Sequence, residues 1–200
     1  MQTRWKLLSR VLFLENPRQT FIGVKRRYAE KHRHYHKLKH VKACLEELDR
    51  FRRRSRRKQG ARGTYSLIEV ALWFHDLSYN PRRKDNEERS AAAFNRMLGH
   101  KLTRDARKVI RRLILATKHD RLPRTAYEKL IVDIDLSILG KSRKVFDAYE
   151  KAIRKEYAHV PEDKFRVGRA AVLRQFLKHR RIYSIPLFFK LYEKTARRNL

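Results

Sequence analysis

His75 and Asp76 stand side by side at the end of an unbroken apolar run, Val70-Ala71-Leu72-Trp73-Phe74. A polar pair that closes such a run is at least partly buried. Buried ionisable side chains are hydrogen-bonded, paired with an opposite charge or bound to metal, because burying one alone costs several kcal/mol. A helix-end histidine paired with its neighbouring aspartate meets that requirement as well as a metal site does. The dipeptide therefore points to metal only if other histidines and another buried carboxylate join it.

The chain supplies both. His32, His36 and His40 fall four residues apart, and on a continuous helix they would stack on one face. Two imidazoles at that spacing hold one metal ion, or one holds metal and the other a phosphate oxygen. His32 and His34 read as part of a basic, solvated face. His40 differs, because Val41, Cys44, Leu45 and Leu48 follow it at core-facing spacing and put it at the edge of a buried stripe. Further on, Ile131, Val132, Ile134, Leu136, Ile138 and Leu139 define one broad apolar arc of a helix that Gly140 should stop. Asp135 falls near the middle of that arc and is a ligand candidate. Asp133 falls opposite, beside Ser137, as a surface or supporting residue. Glu87 lies in an acid-rich helix start, Asp85–Ser90, which the helix dipole alone explains. His119 follows an apolar helix end at about Lys118, as His75 does.

The elements that must position these residues are helices. Residues 1–20 form an amphipathic first helix that Asn16-Pro17 ends. Its Arg4, Lys6 and Arg10, with no acid before Glu15, also give it the look of a mitochondrial presequence. A helix from about Tyr65 leads into His75-Asp76. Three more, about 142–157, 162–179 and 183–198, bring Ile153, Val172, Phe176 and Tyr192 to the core. No strand alternation appears. The 200 residues read as one all-α domain, with 42% hydrophobic residues to build its core.

Lys and Arg number 52 against 21 acidic residues, a formal net charge of +31. That excess implies a polyanionic partner, nucleic acid ahead of an acidic membrane surface. Its densest stretch is the run 50–63, an exposed helix end and loop in which Arg52, Arg53, Arg54, Arg56, Arg57 and Lys58 are the expected backbone contacts, RNA before DNA. The single cysteine, Cys44, excludes an intramolecular disulfide framework and fits a reducing compartment, cytoplasmic or, given the first helix, the mitochondrial matrix. No apolar run reaches the roughly 18 residues of a membrane span.

His36/His40, His75-Asp76, the acidic helix start at Glu87 and Asp135 follow one another in the order that defines the HD superfamily of metal-dependent phosphohydrolases. The chain resembles a family of uncharacterised predicted HD phosphohydrolases of about this length, through HRHYHKLKH, ALWFHDLSYNP, DNEERSAA, LILATKH, DIDLSILG, IRKEYAHV and the final ARRNL. Lys31 departs from it, since proline is expected there. The resemblance implies an HD-type helical bundle with His40, His75, Asp76 and Asp135 as ligands of a divalent ion (Mn²⁺, Fe²⁺, Mg²⁺ or Zn²⁺). His36 would be an additional ligand, and Glu87 and His119 would carry protons or hold a second ion, with Asp76 bridging two ions. The implied activity is hydrolysis of a nucleotide or other small phosphate ester, with Lys118, Arg33 and Arg82 as cations for its phosphate. The charge, which the resemblance leaves unexplained, supports an alternative: a nucleic-acid-binding or ribonucleoprotein component whose metal site is vestigial or structural.

Overall fold

The apolar run that precedes His75-Asp76 becomes the spine of the molecule. In a computed structural model describing residues 1–55 and 62–200, Ile68, Val70, Ala71, Leu72, Trp73 and Phe74 have no solvent exposure. The chain order is α1 (Gln2–Val11), α2 (Pro17–Tyr28), α3 (Leu38–Arg54), α4 (Arg62–Phe74), α5 (Asn86–Leu98), α6 (Arg104–Ala116), α7 (Ala126–Asp135), α8 (Arg143–Glu156), α9 (Glu162–Lys178) and α10 (Pro186–Asn199). The described residues are all-helical and contain no strand. A helix that is apolar on every side must be surrounded, and α4 packs against α1, α3, α5, α6 and α7.

Local chemistry sets the helix starts. Proline opens α2 and α10, where its missing N–H costs nothing. The Thr103 side chain accepts from Ala106 N–H at the start of α6, and Thr125 with Glu128 forms a capping box at α7. The first helix is built into the core. Trp5 is buried and meets Trp73 edge-on at 5.1 Å, while Arg4 ties Glu69 of α4 (2.8 Å) to Asp49 of α3 (2.5 Å).

Several expectations are corrected here. Residues 30–37 are not helical, since α3 begins only at Leu38, so His32 and His36 do not stack beneath His40. The 131–139 segment is not one helix either: α7 ends at Asp135 and a 3-10 turn, Leu136–Gly140, follows. Gly140 is needed for a close approach, because a Cβ there would sit 2.8 Å from the Tyr192 Cα of α10. Asp133 is not a surface residue. It is fully buried and accepts from Ser184 N–H (3.0 Å) and Ile185 N–H (2.6 Å), fastening the start of α10. Helix α9 buries no residue completely, and Val172 is 48% exposed rather than core.

Candidate metal centre

The three segments that carry the motif meet where α3 starts, α4 ends and α7 ends. His40 lies in the first turn of α3, His75 and Asp76 directly follow α4, and Asp135 closes α7. Among their ligand atoms, His40 Nε2 is 3.0 Å from both His75 Nε2 and Asp135 Oδ1, and 3.4 Å from Asp76 Oδ2. His75 Nε2 is 2.9 Å from Asp76 Oδ2 and 3.5 Å from Asp135 Oδ1. Around one ion with bonds of about 2.1 Å, neighbouring donor atoms lie roughly 3.0 Å apart in an octahedron and 3.4 Å in a tetrahedron. The observed spacings fit that range.

The supporting contacts fix which atoms face inward. His75 Nδ1 lies 3.0 Å from the Leu72 carbonyl, which can only accept, so Nδ1 carries the proton. In the neutral ring Nε2 then presents its lone pair to the centre. Burial works against a charge on His75, but Asp76 and Asp135 outweigh it and hold the imidazole well above its ordinary pKa. Burial likewise opposes the charge on Asp135, yet His119, His40 and His75 keep its carboxyl well below the usual range. Asp76 Oδ2 is buried without a hydrogen-bond partner, although it is 2.9 Å from a ring nitrogen.

Cys44, one turn beyond His40, brings its Sγ within 3.7 Å of His40 Nε2. His40, Cys44, His75 and Asp135 form a group that can hold a metal ion. The i,i+4 spacing of His40 and Cys44 was the signal that could have found this sulfur; alone it reads as core. Burial pushes the Cys44 thiol up, well above its ordinary pKa.

The remaining site residues take separate places. His119 has a positive φ of 57° and sends Nε2 to the second oxygen of Asp135 at 2.9 Å. His36 stays outside the cluster: its Nδ1 is 2.7 Å from Glu156 Oε2, and its ring stacks on Tyr79 with centroids 4.0 Å apart. Glu156, which sequence reasoning did not single out, fastens the whole 30–37 loop. Its Oε1 accepts from the backbone N–H groups of His34, Tyr35 and His36, at 2.7, 2.7 and 3.0 Å. Although burial opposes the charge, His36 and these amides lower its pKa to about 2.

Glu87 lines a cleft of about 500 Å³ beside the centre, together with His36, Asp76, His119 and Asp135. Burial, helped by Asp76 and Glu88, raises its pKa. A smaller, mainly apolar cavity of about 340 Å³ reaches Asp135 from the side of Cys44. Of the cations expected at a phosphate, Lys118 lines the cleft but is paired with Glu88, and Arg82 is exposed. Arg33 cannot serve: it is fully buried and donates to the carbonyls of His36, Asp76 and Leu77. Lys84 lines the cleft instead, and so does Arg83, which is paired with Asp85 through two contacts of 2.7 Å.

In the basic run, Arg52, Arg53 and Arg54 form the last turn of α3. Arg52, though exposed, reaches Glu69 at 3.7 Å and lies over the Tyr65 ring. Arg56, Arg57 and Lys58 lie outside the described residues. No helix among the described residues is long and apolar enough to cross a membrane. No protein-family model, curated protein or solved structure matches the chain.

Proposed function

We propose that this chain is a metal-dependent phosphohydrolase of the HD superfamily. Its reaction centre would be the cluster of His40, His75, Asp76 and Asp135. The observation that carries the reading is two imidazole nitrogens and two carboxylate oxygens facing one another at 2.9–3.5 Å. Electron-pair donors so arranged are held together by shared protons or by a cation, and a divalent ion satisfies all four at once. Two imidazoles and two carboxylates suit Mn²⁺, Fe²⁺, Mg²⁺ or Zn²⁺, and the Cys44 sulfur at the edge of the set favours Fe²⁺ or Zn²⁺. When bound, the ion supplies Lewis acidity, acidifying water and drawing charge from a phosphoryl oxygen.

In this reading the chain's own groups orient and move protons. His119 fixes the rotamer of Asp135 through its second oxygen. Glu87, which keeps its proton to higher pH than an ordinary carboxyl, gives it to the leaving oxygen. Lys84 at the cleft wall meets the phosphate charge. The +31 charge favours nucleic-acid binding as a second activity, and the complete ligand set argues against a vestigial centre.

The test is metal analysis of the purified protein, followed by a screen of nucleoside monophosphates and p-nitrophenyl phosphate with the metal found. We expect bound metal and phosphate release, both lost in Asp135→Ala. A protein that takes up none of the four ions on titration would remove the reading.

A further inference from the structure

Helix α6 carries Arg104, Arg107, Lys108, Arg111 and Arg112 against a single acid, Asp105. Arg104, Lys108 and Arg111 follow at intervals of four and three, so they share one exposed face, away from the buried Ile110, Leu113 and Ile114. Arg112 reaches Glu128 at 3.8 Å, but these three have no ion-pair partner among the described residues. Arg107, beside them, has a buried Nε with no hydrogen-bond partner.

This face runs toward the metal centre. A groove of about 270 Å³ between α5 and α6 is lined by Arg104, Arg107, Lys108 and Arg111. Lys108 and Arg111 also border a second groove of about 380 Å³ that Lys118 lines, and Lys118 borders the cleft that holds Asp76 and Asp135. Two acids, Glu88 and Asp120, line the second groove, and both lie against Lys118. A 13-residue helix is about 20 Å long, enough for several successive phosphates. The cleft, at about 500 Å³, suits one nucleotide, and Tyr79, Tyr149 and Tyr157 line its walls.

We infer that the outer face of α6 is a track for the backbone of a single-stranded nucleic acid, whose terminal phosphate monoester enters the metal cleft. This rests on the phosphohydrolase reading and names its substrate class. Water attacks the terminal phosphorus, and the bond from phosphorus to the ribose oxygen breaks. That oxygen takes a proton and stays on the strand as a hydroxyl, and inorganic phosphate leaves.

The experiment uses the full chain, metal-loaded, and the variant Arg104→Gln/Lys108→Gln/Arg111→Gln. Binding of a fluorescent RNA oligonucleotide is titrated at several salt concentrations. Phosphate release is measured from 5′- and 3′-phosphorylated forms of it and from p-nitrophenyl phosphate. Losing three contacts at about 0.7 each should flatten the log Kd against log salt slope by about 2. The variant should also raise KM for the oligonucleotide about tenfold or more, and leave hydrolysis of p-nitrophenyl phosphate unchanged. An unaltered salt slope in the variant overturns the track. Hydrolysis of p-nitrophenyl phosphate with no release from either oligonucleotide overturns the inference and leaves the phosphohydrolase reading standing. Hydrolysis of neither overturns both the phosphohydrolase reading and entry of the strand end. Binding to phosphatidylserine vesicles but not to RNA assigns the face to membranes and overturns the inference.

Discussion

Two aspartates on one helix have opposite fates, and the difference is local. Asp135 ends α7 with both oxygens engaged by imidazoles, Oδ1 by His40 at 3.0 Å and Oδ2 by His119 at 2.9 Å. Asp133 lies two residues earlier and caps backbone amides of the segment that leads into α10. Asp135→Ala should therefore abolish metal binding and phosphate release. Asp133→Ala should keep the metal, because it removes no ligand, but lose about 2 kcal/mol by leaving two amides unsatisfied. Metal content per chain, read beside the melting temperature, separates them. Equal loss of metal in both would mean that the α10 contact, not ligation, holds the centre.

At the scale of elements, the non-helical 30–37 segment is held to α8 by one carboxylate. Glu156 accepts three consecutive amides, the His36 ring and the Tyr79 hydroxyl. Its folded pKa of about 2 lies below the ordinary 4.5, so its stabilisation is present above pH 4.5 and lost as pH falls toward 2. The shift corresponds to about 3 kcal/mol for this buried side chain. His36 is shifted the other way: burial opposes its charge, but Asp76 and Glu156 raise its pKa. Its contribution is full below 6.5 and fades as pH rises through the higher folded value. The latch should be tightest between about pH 4.5 and 6.5, and protection of the amides of residues 34–36 from exchange, relative to their intrinsic rates, should be greatest there. Glu156→Gln should lower that protection and remove its acid dependence. A second element contact is the passage of α10 over Gly140. A Cβ at Gly140 would meet the Tyr192 Cβ at 2.3 Å and its backbone Cα at 2.8 Å. Gly140→Ala should therefore cost about 3 kcal/mol, a fall in melting temperature of roughly 6–12 °C.

For the whole molecule, the candidate metal centre joins segments far apart in the chain, at residues 40, 75–76 and 135. An ion that binds only where these meet stabilises the folded state by mass action. The effect is about 2.7 kcal/mol at a hundredfold excess over Kd. Chelation should lower the melting temperature by roughly 5–10 °C, and His75→Ala should abolish the difference between metal-loaded and chelated protein. A melting temperature indifferent to every one of the four ions would leave the cluster as a hydrogen-bonded core network. The charge acts at the same scale: α6 gathers unneutralised cations on one face, and partner binding there should relieve some of the self-repulsion that +31 imposes.

The helical class, the burial of 70–74 and the cluster candidates were legible in the sequence, because period and hydrophobicity are local properties. An apolar run with no polar face must lie at the centre, and the polar pair that closes it must find partners. Tertiary contact decided the rest. Asp133 sits opposite the apolar arc on a helical wheel, yet α10 docks there and buries it. Arg33 reads as a free cation, yet the carbonyls of His36, Asp76 and Leu77 take up its donors. Glu156 lies 120 residues from His36, and no spacing rule links a carboxylate to amides so far away. Periodicity tells which side of a helix is apolar. Which polar residue ends beneath another element depends on where that element docks, and only the folded chain fixes that.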